Sequence, residues 1–147
     1  MGVERRFARA QTARTMSTEI TNQLSVFLNN EPGTLAKVCD ELAKADINIF
    51  ALTISDTADH SVVRMVVSDW KKALLIFEER AVLAIENKVL IIENSNKPGA
   101  LGKIAARLGK AKINIEYAYL ATSPGAKTGL LILRVDDTKK ALKVLKK

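Results

Sequence analysis

The sequence is poor in aromatic residues, in cysteine and in histidine, and each shortage excludes a class of protein. Aromatic side chains make up 5% of the 147 residues, so a hydrophobic core must be built mostly from aliphatic side chains. The single cysteine, Cys39, excludes a disulfide framework within the chain. The single histidine, His60, has no second histidine or cysteine beside it, so we expect no metal site and no cofactor.

Long apolar runs are also missing. None approaches the roughly 20 residues that a membrane helix needs, so we expect no membrane partner. Residues 1–15 are rich in arginine but lack the apolar stretch of a secretory signal. Together with the scarcity of cysteine, this composition predicts a cytoplasmic protein whose residues 1–20 form a disordered leader.

The sequence does contain an internal repeat, which is the first feature to look for in a new chain. A shift of 66 residues aligns Asn30–Ile49 with Asn96–Ile115, and eleven of the twenty aligned positions are identical. Farther along, Lys71–Leu74 recurs as Lys139–Leu142 at an offset of 68. The second copy therefore holds two extra residues, which we place in the turn at residues 123–126, where an insertion costs little.

Each copy has the element order of an α+β module, because alternating residues predict strands and helical spacing predicts helices. In the first copy we predict strands at 23–28, 48–55, 61–68 and 82–86, and helices from residue 34 and over 71–79. In the second copy we predict strands at 89–93, 114–122 and 128–135, and helices over 100–111 and from 138 to the end. The order predicts two ferredoxin-like βαββαβ modules, residues 21–87 and 88–147, with helices on one face of the sheet. The second module lacks its last strand, unless the leader or a partner supplies one.

The loop Asn-x-Pro-Gly occurs once in each copy, at Asn30 and at Asn96. Proline fixes φ and glycine permits a tight turn, so the chain can pass directly from a strand into a helix. The first N–H groups of that helix lack partners and attract carboxylates and phosphates. An asparagine side chain both donates and accepts hydrogen bonds, which suits the two charged groups of an amino acid. Turn chemistry without any ligand would also explain the motif.

These loops, together with Asn48 and Asn114 at the start of the next strand, resemble the ACT domain, the small-molecule-sensing module of amino-acid metabolism. The resemblance is to tandem ACT proteins, and it implies a regulatory protein that binds an amino acid and is not an enzyme. It also implies a continuous antiparallel sheet of eight strands, with effectors bound between modules by the loop of one and the strand start of its neighbour. The candidate ligand-binding residues are Asn30, Pro32, Gly33, Thr34, Leu35 and Asn48 in the first copy, and Asn94, Asn96, Lys97, Pro98, Gly99, Ala100, Leu101 and Asn114 in the second.

The two copies differ from the family pattern two residues before the loop asparagine, where some effector-binding members carry a histidine. Leu28 stands there in the first copy and Asn94 in the second. Only Asn94 can form a hydrogen bond, so we expect the second loop to be the better site. Open sheet edges and the missing strand predict a homodimer, and regulation would act on a separate biosynthetic enzyme.

Three other functions are alternatives to an amino-acid-binding regulator. An RNA-recognition module has the same element order, and the net charge is +7, but it needs exposed aromatic residues on its central strands. Val62–Val67 and Leu130–Val135 contain none, so we expect no nucleic-acid partner. An enzyme would need a triad, a metal cluster or a phosphate loop, and the sequence has no such pattern. A module that only holds together the subunits of a partner enzyme remains an alternative.

Overall fold

The computed structural model describes residues 17–56 and 60–147, except for the side chain of Asp56. The strands are β1 (Thr18–Asn29), β2 (Ile49–Asp56), β3 (His60–Val67), β4 (Ala84–Ser95), β5 (Ile115–Ala121) and β6 (Thr128–Val135). The helices are α1 (Thr34–Lys44), α2 (Trp70–Glu79), α3 (Ala100–Lys110) and α4 (Thr138–Lys146). The predicted α+β class with antiparallel strands and a ferredoxin-like order is confirmed. The turn predicted at residues 56–60 lies partly outside the described residues.

The chain divides into two compact units, and residues 22–87 belong to the first. Its strands follow the order β2-β3-β1-β4, in which β1 and β3 are antiparallel, with Leu24 opposite Met65 and Val26 opposite Val63. Alternate residues of these strands face α1 and α2, and the fully buried Leu42 and Phe77 of the helices complete the core. The sheet therefore has its helices on one face, as the repeat predicts.

The second unit contains residues 88–147, and residues 17–21 also belong to it. Its strand order is β1-β4-β6-β5, so the start of β1 takes the position that the fourth strand has in the first unit. The amide of Glu93 donates to the carbonyl of Ser17 at 3.0 Å, and Ile20 packs against the core of this unit. Among the described residues no strand follows α4, and the start of β1, which precedes the first repeat, occupies the position of the fourth strand.

Two predicted boundaries need correction. The sequence predicts separate strands at 82–86 and 89–93, but residues of both predictions lie in the single long strand β4, Ala84–Ser95, which continues through Asn87 and Lys88 without a break. The predicted leader ends at residue 20, whereas β1 begins at Thr18. These two differences explain why the described residues contain six strands and not the eight that the family resemblance implies.

The second helix of each unit begins in the same way. The Asp69 carboxylate accepts from the amide of Lys72 at 3.1 Å, and the Asp137 carboxylate accepts from the amide of Lys140 at 3.0 Å. Both are N-caps of the usual kind, in which an aspartate side chain accepts from an amide of the first helical turn. The side chains of the same two lysines then donate to carbonyl groups at the end of the preceding helix, Ala45 at 2.7 Å and Ala111 at 2.9 Å.

Three helices end in a left-handed residue that is not glycine. After α2, the amide of Ala81 donates to Glu78 at 3.1 Å and the amide of Val82 donates to Phe77 at 2.8 Å, which is a Schellman motif. Ala81 has φ 55°, and Asp46 and Lys112 have φ 57° after α1 and α3. A left-handed conformation costs a residue with a Cβ roughly 1–2 kcal/mol.

Replacement of Ala81 by glycine should therefore stabilise the protein by about 1 kcal/mol, measured by urea unfolding. The matched control is Ala43→Gly, an equally exposed alanine inside α1, which should lower the stability by a similar amount. If both variants are destabilised equally, Ala81 carries no strain.

Candidate functional site

The Asn-x-Pro-Gly loop forms a type II turn in both copies. In the second copy the amide of Ala100 donates to the carbonyl of Lys97 at 3.1 Å, with Pro98 and Gly99 between them. Gly99 has φ 86° and ψ −7°, and Gly33 has φ 85° and ψ −11° in the first copy. A type II turn needs positive φ at its third position, which is why glycine stands there. The turn leads the chain directly into the first residue of α3.

The N-terminus of α3 carries no cap from a side chain. Its N-cap is Gly99, which offers no hydrogen-bonding side chain. The amides of Leu101 and Gly102 therefore lie in the first turn without the acceptor that residues deeper in a helix have four positions back. These N–H groups and the helix dipole make a favourable position for a carboxylate.

A cavity of about 150 Å³ lies at this helix start, within the second unit. Its walls come from the end of β4, the loop, the first turn of α3 and the adjoining ends of β5 and β6. The lining residues are Asn94, Ser95, Asn96, Lys97, Gly99, Ala100, Leu101, Gly102, Leu120, Thr122 and Gly129. Pockets for drug-sized ligands span roughly 300–1,000 Å³, so this cavity suits a much smaller molecule.

Asn94 forms the buried floor of the cavity. It continues the row of Leu90 and Ile92 on the face of β4 that packs against the helices, and its side chain is 3% exposed. The Nδ2 group donates to the Ser95 carbonyl at 3.4 Å, while Oδ1 has no hydrogen-bond partner among the described residues. A buried polar atom without a partner costs about 1–3 kcal/mol, so this acceptor is a group that a ligand could satisfy.

The first unit fills the same position with apolar packing. Leu28 stands at the position of Asn94, and it faces Ser61 across the sheet, whereas Asn94 faces Gly129. Leu28 and Ser61 are 6% and 7% exposed, so both side chains are packed. Gly129 has no room for a side chain, since an added Cβ would lie 2.8 Å from the Cβ of Thr122. The polar floor is thus a property of the second copy.

Asn96 holds the loop in place. Its Nδ2 group donates to the carbonyl of Ala126 at 2.7 Å and reaches that of Ser123 at 3.4 Å. Its backbone amide donates to Lys127 at 2.9 Å. The asparagine therefore ties the loop to the turn that holds the two extra residues of the second copy.

Asn48 and Asn114 lie at the opposite end of their units from the loops. Asn114 exchanges hydrogen bonds of 3.2 Å with Asp136, beyond the end of β6, whereas Asn96 bonds Lys127, just before its start. At ~3.3 Å per residue along a strand, the two asparagines are about 30 Å apart. Asn48 bonds Ser68 in the same manner, with its amide 2.9 Å from the serine hydroxyl.

The predicted residues thus separate into two groups. Of those in the second copy, Asn94, Asn96, Lys97, Gly99, Ala100 and Leu101 line the cavity; Pro98 shapes the turn, and Asn114 is distant. In the first copy, Asn30, Pro32, Gly33, Thr34 and Leu35 occupy the equivalent turn, and Leu35 packs against the core.

Sequence reasoning missed five lining residues, namely Ser95, Gly102, Leu120, Thr122 and Gly129. A comparison of the copies offered a signal for two of them. Gly102 stands where the first copy has Ala36, and Gly129 stands where it has Ser61. Each change replaces a residue that has a side chain with glycine beside the loop.

A larger cavity of about 280 Å³ lies between α1 and α2 of the first unit. Its charged groups satisfy one another, since a Glu41 oxygen lies 3.0 Å from Arg80 and the other lies 3.3 Å from Lys44. The hydrogen bond from Lys44, with the charge of Arg80, holds the pKa of Glu41 below its usual value. None of the buried polar atoms without a partner in the described residues belongs to its lining, so it lacks the feature that distinguishes the cavity at Asn94.

The fold consists of two ferredoxin-like modules. The second contains a small cavity at the N-terminus of α3, with the polar side chain of Asn94 at its base. The chain belongs to the ACT domain pair family, whose model matches residues 19–147. Protein BT0572 from Bacteroides thetaiotaomicron is 33% identical with a TM-score of 0.82, and the match covers 88% of each chain. No curated protein matches the chain.

Two further solved structures share the fold. The regulatory subunit of aspartate kinase from Thermus thermophilus, in a ligand-free form, is 18% identical with a TM-score of 0.68 over 90% of this chain and 95% of that one. Aspartate kinase from Synechocystis is 21% identical with a TM-score of 0.60, and the match covers 90% of this chain and 26% of the kinase. At these identities the likeness establishes the fold.

Among residues 17–56 and 60–147, no helix is long and apolar enough to span a membrane. In the same part of the chain, no three histidine, cysteine, aspartate or glutamate side chains lie together as a metal site would require.

Proposed function

We propose that this protein is a non-catalytic regulatory subunit that binds one free amino acid in the second unit, at the cavity beneath the start of α3. The observation that carries the proposal is the buried Asn94 side chain, whose Oδ1 atom has no partner at the floor of that cavity. A free amino acid carries a positive ammonium group and a negative carboxylate, and the cavity offers a hydrogen-bonding partner for each. Its ammonium group can donate to Oδ1 of Asn94, and its carboxylate can accept from the amides of Leu101 and Gly102.

The Asn94 amide can present either of its atoms to the ligand, because its terminal torsion is broad and roughly two-fold. Among the described residues its one hydrogen bond is the long one of 3.4 Å from Nδ2 to the carbonyl of Ser95, which a small rotation would break. Lys97 is exposed at the rim, where its positive charge favours an anionic group at the helix start. The corresponding residue of the first copy is Glu31, whose negative charge would repel an anionic group.

The partner of the regulatory subunit would be a separate enzyme of amino-acid biosynthesis. The likeness in fold to a protein described as the regulatory subunit of aspartate kinase supports this class of partner. We also propose a homodimer. Asn114 lies about 30 Å from the loop of its own unit, so it could join a ligand site only against a loop from another module.

An amino acid that binds the folded state should raise the melting temperature by mass action, and two glycines of α3 provide a matched test. Gly102 and Gly109 are both helical, and an added Cβ meets nothing within 4 Å at either position. Alanine at each should therefore stabilise the ligand-free protein by about 0.5–1 kcal/mol. Only Gly102 lines the cavity, so only Gly102→Ala should weaken the shift produced by millimolar amino acid.

The competing function is a scaffold that joins the subunits of a partner enzyme without any ligand of its own. It predicts that none of the twenty amino acids raises the melting temperature of the full chain. It also predicts that Gly102→Ala and Gly109→Ala behave alike under all conditions. That pair of results would replace the sensor with the scaffold.

A further inference from the structure

The wall of the cavity above the Asn94 floor is apolar. Leu101, in the first turn of α3, and Leu120, on β5, both line it. They are 38% and 40% exposed, among the most exposed large apolar side chains of the second unit. Leu120 lies opposite the fully buried Leu131, so it stands on the sheet face that α3 covers. Apolar side chains left open beside an unsatisfied polar atom form a site with two chemically different ends.

Two polar side chains of the cavity, those of Thr122 and Asn96, are already engaged within the protein. The hydroxyl of Thr122 donates to the carbonyl of Thr128 at 3.2 Å, so its hydrogen is used within the protein. The Asn96 side chain donates to the carbonyl of Ala126 at 2.7 Å. No carboxylate side chain lines the cavity, so a cationic ligand side chain would find no partner there.

The size of the cavity limits the ligand further. The cavity, at about 150 Å³, is smaller than the roughly 300–1,000 Å³ of a pocket for a drug-sized ligand. A zwitterion with a short branched side chain matches that size better than a larger amino acid does.

Resting on the proposed function, we infer that the ligand is a small aliphatic amino acid of the valine class, with Leu101 and Leu120 as its specificity-determining residues. The charged groups of the ligand lie between Asn94 and the start of α3. Its side chain then covers the two leucines, which removes their apolar surface from water. The first copy keeps an exposed apolar residue, Ile54, at the position of Leu120, but lacks the polar floor and so binds no amino acid.

The sharpest test compares valine with threonine, which have nearly the same shape but differ in one hydroxyl group. Calorimetric titration of the full chain should give a dissociation constant for valine about ten- to a hundredfold lower than for threonine. Phenylalanine, lysine and aspartate should bind more weakly than valine. If threonine, lysine or aspartate binds more tightly than valine, the aliphatic assignment is overturned while amino-acid binding stands.

Two variants locate the specificity. Leu120→Ala should weaken valine binding about tenfold and leave glycine binding nearly unchanged, because glycine has no side chain to contact residue 120. Ile54→Ala, at the equivalent position of the first copy, should leave valine binding unchanged. Equal losses for valine and glycine in Leu120→Ala would mean that Leu120 has only a structural role, which would overturn its assignment. If no amino acid binds to the unmodified chain, the proposed function fails with the inference.

Discussion

Asn94→Leu is expected to stabilise the ligand-free protein and to abolish its response to amino acids. Asn94 is 3% exposed, and among the described residues no protein group donates to its Oδ1 atom, so the fold itself does not satisfy this buried acceptor. Removal of that acceptor should raise the free energy of unfolding by about 1–3 kcal/mol. A leucine fits this position in principle, because Leu28 occupies it in the first unit.

The same substitution removes the acceptor for the ligand ammonium group. Loss of one partner of a buried, charged hydrogen bond costs about 2–5 kcal/mol, so the affinity should fall by roughly a hundredfold or more. Calorimetry measures that loss, and thermal unfolding measures the gain in stability. A substitution that stabilises the fold but weakens ligand binding is typical of a position in a binding site.

The control exchanges the residues in the other direction. Leu28→Asn places an amide in the packed core of the first unit, where it should lower the stability by about 2–4 kcal/mol. It should leave amino-acid binding in the second unit unchanged. If Asn94→Leu instead destabilises the protein and retains full ligand affinity, the buried amide has a structural role and the proposed site is incorrect.

Removal of residues 1–21 is expected to unfold the second unit. Residues 18–21 within this segment form the start of β1 beside β4, where the Glu93 amide is bonded to the carbonyl of Ser17 and Ile20 packs against the core. Without them, one edge of β4 and part of the apolar core of this unit would be exposed to water. Hydrogen exchange should show loss of protection in β5 and β6, while β2 and β3 of the first unit keep theirs.

The matched control is a chain that begins at Met16, which retains Ser17, Ile20 and their contacts and should remain folded. Ile20→Ala should give a milder form of the same defect, with a loss of about 2 kcal/mol. A synthetic peptide of residues 16–23 should restore the unit in the truncated chain, as strand addition does at an open sheet edge. If protection of β5 and β6 survives the truncation, the start of β1 is not needed to complete the second unit.

Much of the local structure could be predicted from the sequence. The bounds of β6, Thr128–Val135, agree with the prediction, and α3 starts at the predicted Ala100. The turn geometry at Gly33 and Gly99 also follows from the Pro-Gly pair. These features depend on side-chain periodicity and on the φ preferences of single residues, which are properties of short stretches of chain.

The site was harder to predict, although the family resemblance identified the loop and the preference for the second copy was drawn from Asn94. The sequence could not show that Leu120 and Gly129 join Asn94 around one cavity. They lie on three strands, and only the register of β4, β5 and β6 brings them together. The distance of Asn114 from Asn96 likewise depends on the direction in which each strand runs.

The sequence by itself therefore determined the duplicated module, its loops and the difference between Leu28 and Asn94. Repeats are visible when the sequence is aligned with itself, and turn and helix preferences depend on short stretches of chain. Tertiary structure alone decided that the start of β1 completes the second unit. It also decided that the Oδ1 atom of Asn94 is buried without a partner. Strand pairing and burial depend on contacts between residues far apart in the chain, and no local pattern encodes which of those contacts will form.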